Sequence, residues 1–129
     1  MVLLEHTLPS GEMHFDWMFE RPAVADGPLV SYRTWQRPDL LPGGSHMLAE
    51  RIGDHRPTYL DYEGPVSNGR GSVRRLARAT VLALDDSTPL IWLSIRWESG
   101  TEQRWKAHPL PTEKPPAPGC ERWIWTRLS

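Results

Sequence analysis

Apolar and polar residues alternate strictly along residues 12–20, a pattern that predicts a β-strand with one face in a core. The positions of one face are all apolar: Met13, Phe15, Trp17 and Phe19. The positions of the other face are mostly polar: Glu12, His14, Asp16, Met18 and Glu20. A shift of one residue would turn the whole apolar face outward, so the register of this strand is strongly specified and its polar face has a fixed direction.

Similar short segments, separated by turn residues, follow along most of the chain. The turn residues 25–28 and the extended pattern of residues 29–35 predict a hairpin with the first strand. Residues 48–55 fit a short helix as well as a strand, and the strand is the preferred interpretation. Further strands are predicted at residues 59–63, 90–98, 102–107 and 121–128, and two short strands that meet near residues 78–80 are predicted within 72–84.

About eight short strands, with no convincing amphipathic helix, predict an all-β fold. We expect a compact single-domain β-barrel that comprises residues 1–129. Asn68-Gly69 predicts a turn, and residues 109–119, with five prolines, predict an exposed, extended connection. The alternating tryptophans of residues 90–97 and 123–125 are expected in or near the core.

Length and composition agree with one globular core, because the chain has 129 residues, of which 39% are apolar and 24% charged. No segment approaches the ~20 apolar residues that cross a bilayer, and the first residues lack the pattern of a secretory signal. We therefore expect a cytoplasmic, monomeric protein without membrane contact. Cys120 is the only cysteine, so a metal site must use histidine and carboxylate side chains.

The formal net charge of −1 provides no general field that would attract nucleic acid. Arginine accounts for 13 of the 15 basic residues, and its planar fork matches phosphate oxygens. A GC-rich coding sequence also explains this excess, together with the 13 prolines. Composition by itself therefore leaves phosphate recognition open.

Candidate metal ligands lie on the polar face of the first strongly patterned strand. His14 and Asp16 are two residues apart, so both side chains leave the same face of that strand. The loop at residues 9–11 can double the chain back and bring His6 to them. Two histidines and one carboxylate suit Zn²⁺, Mn²⁺ or Fe²⁺ with positions left for water and substrate. A solvated polar pair without a metal is the alternative.

Residues 54–64 are dense in groups that donate or accept protons, with His55 and Tyr59 on either side of Arg56-Pro57. Histidine exchanges a proton near neutral pH, so this segment is a candidate for acid–base chemistry. A turn that leads into a strand with tyrosine rings at its edges is the structural alternative.

Taken together, these motifs resemble the 3′-phosphoesterase domain that forms the N-terminal module of bacterial DNA ligase D and also occurs as a free-standing protein. The resemblance lies in a histidine upstream of His14-Phe15-Asp16-Trp17-Met18-Phe19-Glu20, in Trp35, and in Asp54-His55 through Tyr59 to Asp61-Tyr62-Glu63-Gly64. It extends over residues 3–73, in the order that the family has.

The resemblance implies a β-barrel that uses Mn²⁺, or Zn²⁺ as the alternative ion, to process nucleic-acid 3′ ends. The reaction would be removal of a 3′-phosphate or a 3′-ribonucleoside during DNA repair, with repair ligase or polymerase proteins as partners. His6, His14 and Asp16 would take the metal-ligand positions. His55 and Tyr59 would take the catalytic positions that contact the scissile phosphate.

Two departures from the family open alternatives. The ligase modules carry an arginine two residues beyond the metal-binding aspartate, where this chain has Met18, and the spacing from His6 to His14 is longer. Either Arg33, Arg51 or Arg56 contacts the phosphate, or the protein is a catalytically weak or inactive barrel. In that second case it binds metal and nucleic-acid ends or repair partners, with Arg70, Arg74, Arg75 and Arg78 as the contact patch. A structural module with buried histidines is the third hypothesis.

Overall fold

The computed structural model describes residues 1–111 and 121–129, and in these ranges the protein is all-β, as predicted. The strands are β1 (Val2–Thr7), β2 (Met13–Phe19), β3 (Leu29–Thr34), β4 (His46–His55), β5 (Gly64–Pro65), β6 (Ser72–Asp85), β7 (Ile91–Trp97), β8 (Glu102–Pro109) and β9 (Glu121–Arg127). The helical elements of the described ranges are two short 3₁₀ helices, Pro38–Leu40 and Pro57–Leu60. Neither is long or apolar enough to span a membrane. Most of the predicted proline-rich connection lies outside the described residues.

The strands form one antiparallel sheet that closes on itself, in the order β1-β2-β3-β4-β9-β8-β7-β6. Closure comes from β1, which pairs with β2 on one side and with β6 on the other. The short strand β5 adds to β6 outside this ring. β9 lies between β4 and β8, so the last strand completes the sheet as predicted. Because the sheet closes into a ring, each of its eight strands has a paired neighbour on both sides.

Strand β6 differs from the sequence prediction. Two short strands were expected to meet near residues 78–80, but Ser72–Asp85 is one continuous strand of 14 residues. Its pairing changes at the expected place: Arg78 is opposite Val2 of β1, whereas Ala79 is opposite Trp97 of β7. A staggered barrel allows one long strand to exchange neighbours along its length, which the local pattern cannot distinguish from a strand break.

Residues 59–63, predicted to be extended, begin instead within the 3₁₀ helix Pro57–Leu60. Pro57 stands at its first turn, where the missing N–H and the fixed φ of proline are tolerated. The end of this turn is held from a distant strand, since the Arg78 guanidinium donates to the carbonyl oxygen of Leu60 at 2.8 Å and also to the carboxylate of Asp61. The prediction was wrong because a tertiary contact selects the turn.

Aromatic side chains fill the interior of the barrel. Trp17, Trp105 and Trp125 are fully buried, and the ring centroid of Trp17 lies 5.5 Å from that of Trp105 and 4.8 Å from that of Trp125. Trp97 and Trp123 are buried as well, so the predicted core positions are confirmed for Trp97, Trp123 and Trp125. The prediction was wrong for Trp92, which is 41% exposed because it alternates with the inward-facing residues Ile91 and Leu93 of β7. The interior is therefore a packed core, as expected for a barrel of this strand number.

A second apolar cluster lies on the opposite face of β1, β2 and β3. Its buried members are Val2, Leu4, Met18, Leu29 and Val73. Side chains from the excursion between β4 and β6 pack on it: Tyr59, Leu60 and Val66. Because residues alternate between faces, the polar residues that follow along the same strands lie beside this cluster.

Candidate metal centre

The candidate metal ligands meet at the polar end of the face that carries the second cluster. His6 of β1 is the direct register partner of His14 of β2, and Asp16 lies two residues further along β2. The ligand atoms of the three residues all lie within 4.8 Å of one another. Two atoms each about 2.3 Å from one ion are at most about 4.6 Å apart, so small side-chain adjustments suffice for a shared ion. The predicted convergence is confirmed.

His6 is oriented through both of its ring nitrogens. Nδ1 lies 2.9 Å from Oδ2 of Asp16, and Nε2 lies 2.7 Å from the carbonyl oxygen of Arg70. Both partners only accept, so the two contacts favour the ring form that is protonated at both nitrogens, and the hydrogen bond with Asp16 raises the pKa of His6. When Nδ1 ligates an ion, Nε2–H remains on the Arg70 carbonyl, the outer-shell contact that metal-bound histidines ordinarily make.

Two buried polar atoms at this site lack a hydrogen-bond partner in the described part of the chain. They are Nε2 of His14 and Oδ1 of Asp16, which lie 3.1 Å apart and attract each other but are not aligned for a hydrogen bond. Leaving such atoms unpaired in an apolar surrounding is costly, and a cation ligated by both would satisfy them. These residues therefore fit a divalent metal ion.

Asp16 is ionised in spite of its burial. Removal from water acts to raise the pKa of its carboxyl, but the imidazoles of His14 and His6 outweigh this and bring the pKa to about 2. The carboxylate charge that a metal requires is thus present at every physiological pH.

The three residues open onto a cavity of about 530 Å³. Its lining includes the two other predicted site residues, His55 and Tyr59. Three arginines line it as well: Arg33, Arg56 and Arg70. The cavity therefore combines groups suited to a cation with groups suited to an anion.

His55 is held by a hydroxyl on the neighbouring strand. Its Nδ1 lies 2.9 Å from Oγ of Ser31, and that hydroxyl donates to the carbonyl oxygen of Leu29 at 3.0 Å. Since the hydroxyl has one proton, Nδ1 of His55 is the donor and Nε2 carries the lone pair. Burial lowers the pKa of His55, which favours this neutral form. The ring of Tyr59 packs edge-on against His55, with centroids 5.3 Å apart.

The arginines that the sequence left open differ in position. Arg51 does not line the cavity: its guanidinium donates to two backbone oxygens and to Oδ1 of Asp54 at 2.6 Å, and it covers the ring of Tyr32. Arg33 and Arg56 do line it. Met18 lies at the cavity floor with 1% of its surface exposed, as a member of the second cluster.

Three contributions to the site were not predicted from the sequence. Ser31 orients His55, the Arg70 carbonyl orients His6, and Gly71 lets the Arg70 segment approach β1. A serine in a strand and a backbone carbonyl carry no local signal of such roles. Of these three contributions, that of Gly71 is the one with a signal in the sequence, because a glycine often marks a left-handed backbone conformation, here with a φ of +91°.

Neither a scan against protein-family models nor a search of curated proteins finds a match for this chain. Its function is therefore argued from the chemistry of the cavity and from the motif residues.

Proposed function

We propose that this protein is a metal-dependent phosphoesterase that processes the 3′ ends of DNA or RNA, removing a 3′-phosphate or a 3′-ribonucleoside. One observation carries the proposal: the unpaired, buried Nε2 of His14 and Oδ1 of Asp16 lie at a cavity that three arginines also line. A cation satisfies the first pair, and an anion suits the arginines. A phosphoester bound to a divalent ion provides both charges.

The metal and the imidazole would have separate tasks. His6, His14 and Asp16 would hold a divalent ion such as Mn²⁺, which would supply Lewis-acid polarisation of a phosphoryl oxygen during P–O cleavage. His55, neutral with its lone pair on Nε2, accepts the proton of the attacking water. Tyr59 lines the same cavity, and its hydroxyl is assigned to donate to a phosphate oxygen.

The choice of a nucleic-acid 3′ end rests on the resemblance of the motif residues to the 3′-phosphoesterase domain. Each of those motifs, at residue 6, residues 14–20 and residues 55–64, contributes at least one residue to the lining of the cavity: His6 from the first, His14, Asp16 and Met18 from the second, and His55, Arg56 and Tyr59 from the third. Hydrolysis of a 3′-phosphate transfers water to phosphorus and leaves a 3′-hydroxyl and inorganic phosphate.

The alternative is a catalytically weak or inactive barrel that binds metal and nucleic-acid ends or repair partners. Met18 favours it, because the apolar floor of the cavity contributes no positive charge at that position. Its proposed contact patch is partly neutralised, since Arg74 pairs with Glu5 and Arg78 pairs with Asp61. The unpaired atoms of His14 and Asp16 argue against the third hypothesis, in which the histidines are simply satisfied buried groups.

Purified protein incubated with Mn²⁺ and an end-labelled primer–template tests the proposal, with substrates that bear a 3′-phosphate or a single 3′-ribonucleotide. We expect Mn²⁺-dependent release of the terminal group. His55→Ala should lower turnover by about a hundredfold or more while Mn²⁺ affinity stays near the wild-type value, because His55 is assigned to proton transfer and not to the ion. His14→Ala should lose both Mn²⁺ binding and turnover.

His46→Ala is the matched control, since His46 is an exposed histidine of β4 whose ring, among the described residues, bonds to the Thr126 hydroxyl alone. It should leave both activity and Mn²⁺ affinity unchanged. If wild-type protein binds Mn²⁺ and the labelled end but releases nothing, the inactive-barrel alternative replaces the proposed activity.

A further inference from the structure

We propose that Arg33 is the phosphate-binding arginine of this cavity and that it acts from β3, across the sheet from the metal-binding strand. The assignment rests on the proposed function and deepens it by naming the residue that holds the substrate's phosphoryl oxygens. It also explains how the cavity can bind a phosphate although Met18 supplies no charge.

The register of the sheet puts Arg33 next to the metal ligands. Arg33 of β3 is the direct antiparallel partner of Asp16 of β2. Side chains of directly opposed residues leave the same face with Cβ atoms about 4.5 to 5.5 Å apart. The Arg33 guanidinium could therefore reach a phosphoryl oxygen of a substrate bound to an ion at Asp16.

The guanidinium of Arg33 has unused donors. Its Nε is buried and has no hydrogen-bond partner among the described residues. Its contact with a carboxylate is long, with Nη1 3.7 Å from Oε2 of Glu50. Since a buried N–H without a partner is costly, an anion in the cavity would satisfy a donor that the protein itself leaves open.

The other arginines near the site are less suited. Arg51 already donates from Nη1 to two backbone oxygens and from Nη2 to Asp54, and it lies outside the cavity lining. Arg70 already donates from Nε and Nη2 to the carbonyl and hydroxyl oxygens of Ser67. Arg56 is exposed on the loop before Pro57, so its donors are open to solvent and no buried N–H of this residue needs a partner. Arg33 alone among these four combines a strand position, an unpaired buried donor and access to the cavity.

The fork of Arg33 would bind two phosphoryl oxygens at once, which a lysine ammonium cannot do. The group it recognises is the phosphoryl group of the substrate, either a 3′-terminal phosphate or the phosphodiester that joins a 3′-terminal ribonucleoside.

The test measures inorganic phosphate binding to Mn²⁺-loaded protein by calorimetry, so that it does not depend on turnover. Arg33→Met, which keeps the aliphatic length without charge, should weaken phosphate binding by about tenfold to a hundredfold. Arg33→Lys should restore part of that loss. Mn²⁺ affinity and the melting temperature, measured in parallel, should stay near the wild-type values in both variants.

Arg96→Met is the matched control, because Arg96 makes an equally long contact of 3.8 Å with Glu102 on β7 and β8, away from the cavity. Arg56→Met tests the competing assignment, in which Arg56 binds the phosphate. Normal phosphate binding by Arg33→Met, loss in Arg56→Met alone, or no phosphate binding by the Mn²⁺-loaded wild type would each overturn the assignment. A protein that binds phosphate through Arg33 but cleaves no nucleic-acid end would keep the assignment and refute the proposed activity.

Discussion

Asp16 remains charged in a position where burial alone would favour the neutral acid. The compensation comes from two imidazoles that lie on either side of it, His14 on the same strand and His6 on the next. The histidines thus stabilise the ionised carboxylate before any ion is bound. This residue-scale arrangement links the folding stability of the metal-free protein to pH.

Asp16→Asn tests that link. The pKa of Asp16 is about 2 in the folded protein against 3.8 for the free side chain, so its ionisation stabilises the fold fully above about pH 4 and progressively less as the pH falls towards 2. The difference corresponds to about 2 kcal/mol. In metal-free protein, urea unfolding between pH 6 and pH 2 should show this loss in the wild type and a flatter profile in Asp16→Asn, which should be less stable at pH 6.

The control for that measurement is Asp85→Asn. Asp85 is exposed and its pKa is lowered by hydrogen bonds from Ser87, so solvent screening should leave the pH profile almost unchanged. An Asp16→Asn profile that parallels the wild type would show that the imidazoles do not stabilise the carboxylate.

At the scale of elements, three neighbouring strands share a face that changes from apolar to polar along its length. On β1 the change runs from Val2 to His6, and on β2 it runs in the opposite chain direction from Met18 to His14. The excursion between β4 and β6 packs on the apolar part. The polar part remains open as the cavity, and the end of the same excursion brings the Arg70 carbonyl to His6.

Gly71→Ala should disturb both the fold and the metal site. A Cβ atom at this position would lie 1.9 Å from the carbonyl oxygen of Thr7, and φ is +91°, so the segment must move away from β1. We expect a loss of about 1 to 3 kcal/mol in the free energy of unfolding. Mn²⁺ affinity should fall about tenfold or more, because the Arg70 carbonyl no longer orients His6.

Gly69→Ala is the control that distinguishes the steric clash expected for Gly71→Ala from the backbone strain that both substitutions cause. Gly69 also has a left-handed φ, +64°, but a Cβ atom added there would have no other atom within 4 Å. Urea unfolding should show a smaller loss of stability, and calorimetry should show wild-type Mn²⁺ affinity. Equal effects of the two substitutions on metal affinity would mean that the approach to β1 is not what positions His6.

At the scale of the whole molecule, the barrel closes around a single aromatic interior. Trp125 of β9 contacts aromatic rings from β2, β3 and β8, so the last strand is tied to the first hairpin through the core. Closure of the ring therefore depends on contacts between residues more than 90 positions apart. The strands that carry the site are held in register by this core.

Trp125→Ala should destabilise the protein by about 3 to 5 kcal/mol, since the indole is fully buried and its removal leaves a large cavity. Trp92→Ala is the matched control: Trp92 is 41% exposed, and the Lys106 ammonium lies over its ring, 5.0 Å from the centroid. Its removal should cost about 1 kcal/mol or less. Thermal and urea unfolding measure both, and an unchanged midpoint for Trp125→Ala would show that β9 is peripheral.

The amino-acid sequence by itself determined the features that depend on neighbours along the chain. Period-two alternation predicted the strand that contains Phe15 and Trp17 and the hairpin that follows it, because alternation decides which face is buried. The same period put His14 and Asp16 on one face. Turn residues such as Asn68-Gly69, where both φ angles are positive, were recognisable because few residues adopt that conformation.

Tertiary structure alone decided what depends on residues that are distant in the sequence. Four features need the closed sheet, which brings distant strands together. They are the pairing of β6 with two partners, the 3₁₀ helix at Pro57–Leu60, the contact of the Ser31 hydroxyl with His55 and the contact of the Arg70 carbonyl with His6. The choice among Arg33, Arg51 and Arg56 depends on the register of β3 against β2. That register places Arg33 directly opposite Asp16. A local pattern has no information about that register, because it reports which face a side chain occupies and not which strand lies beside it.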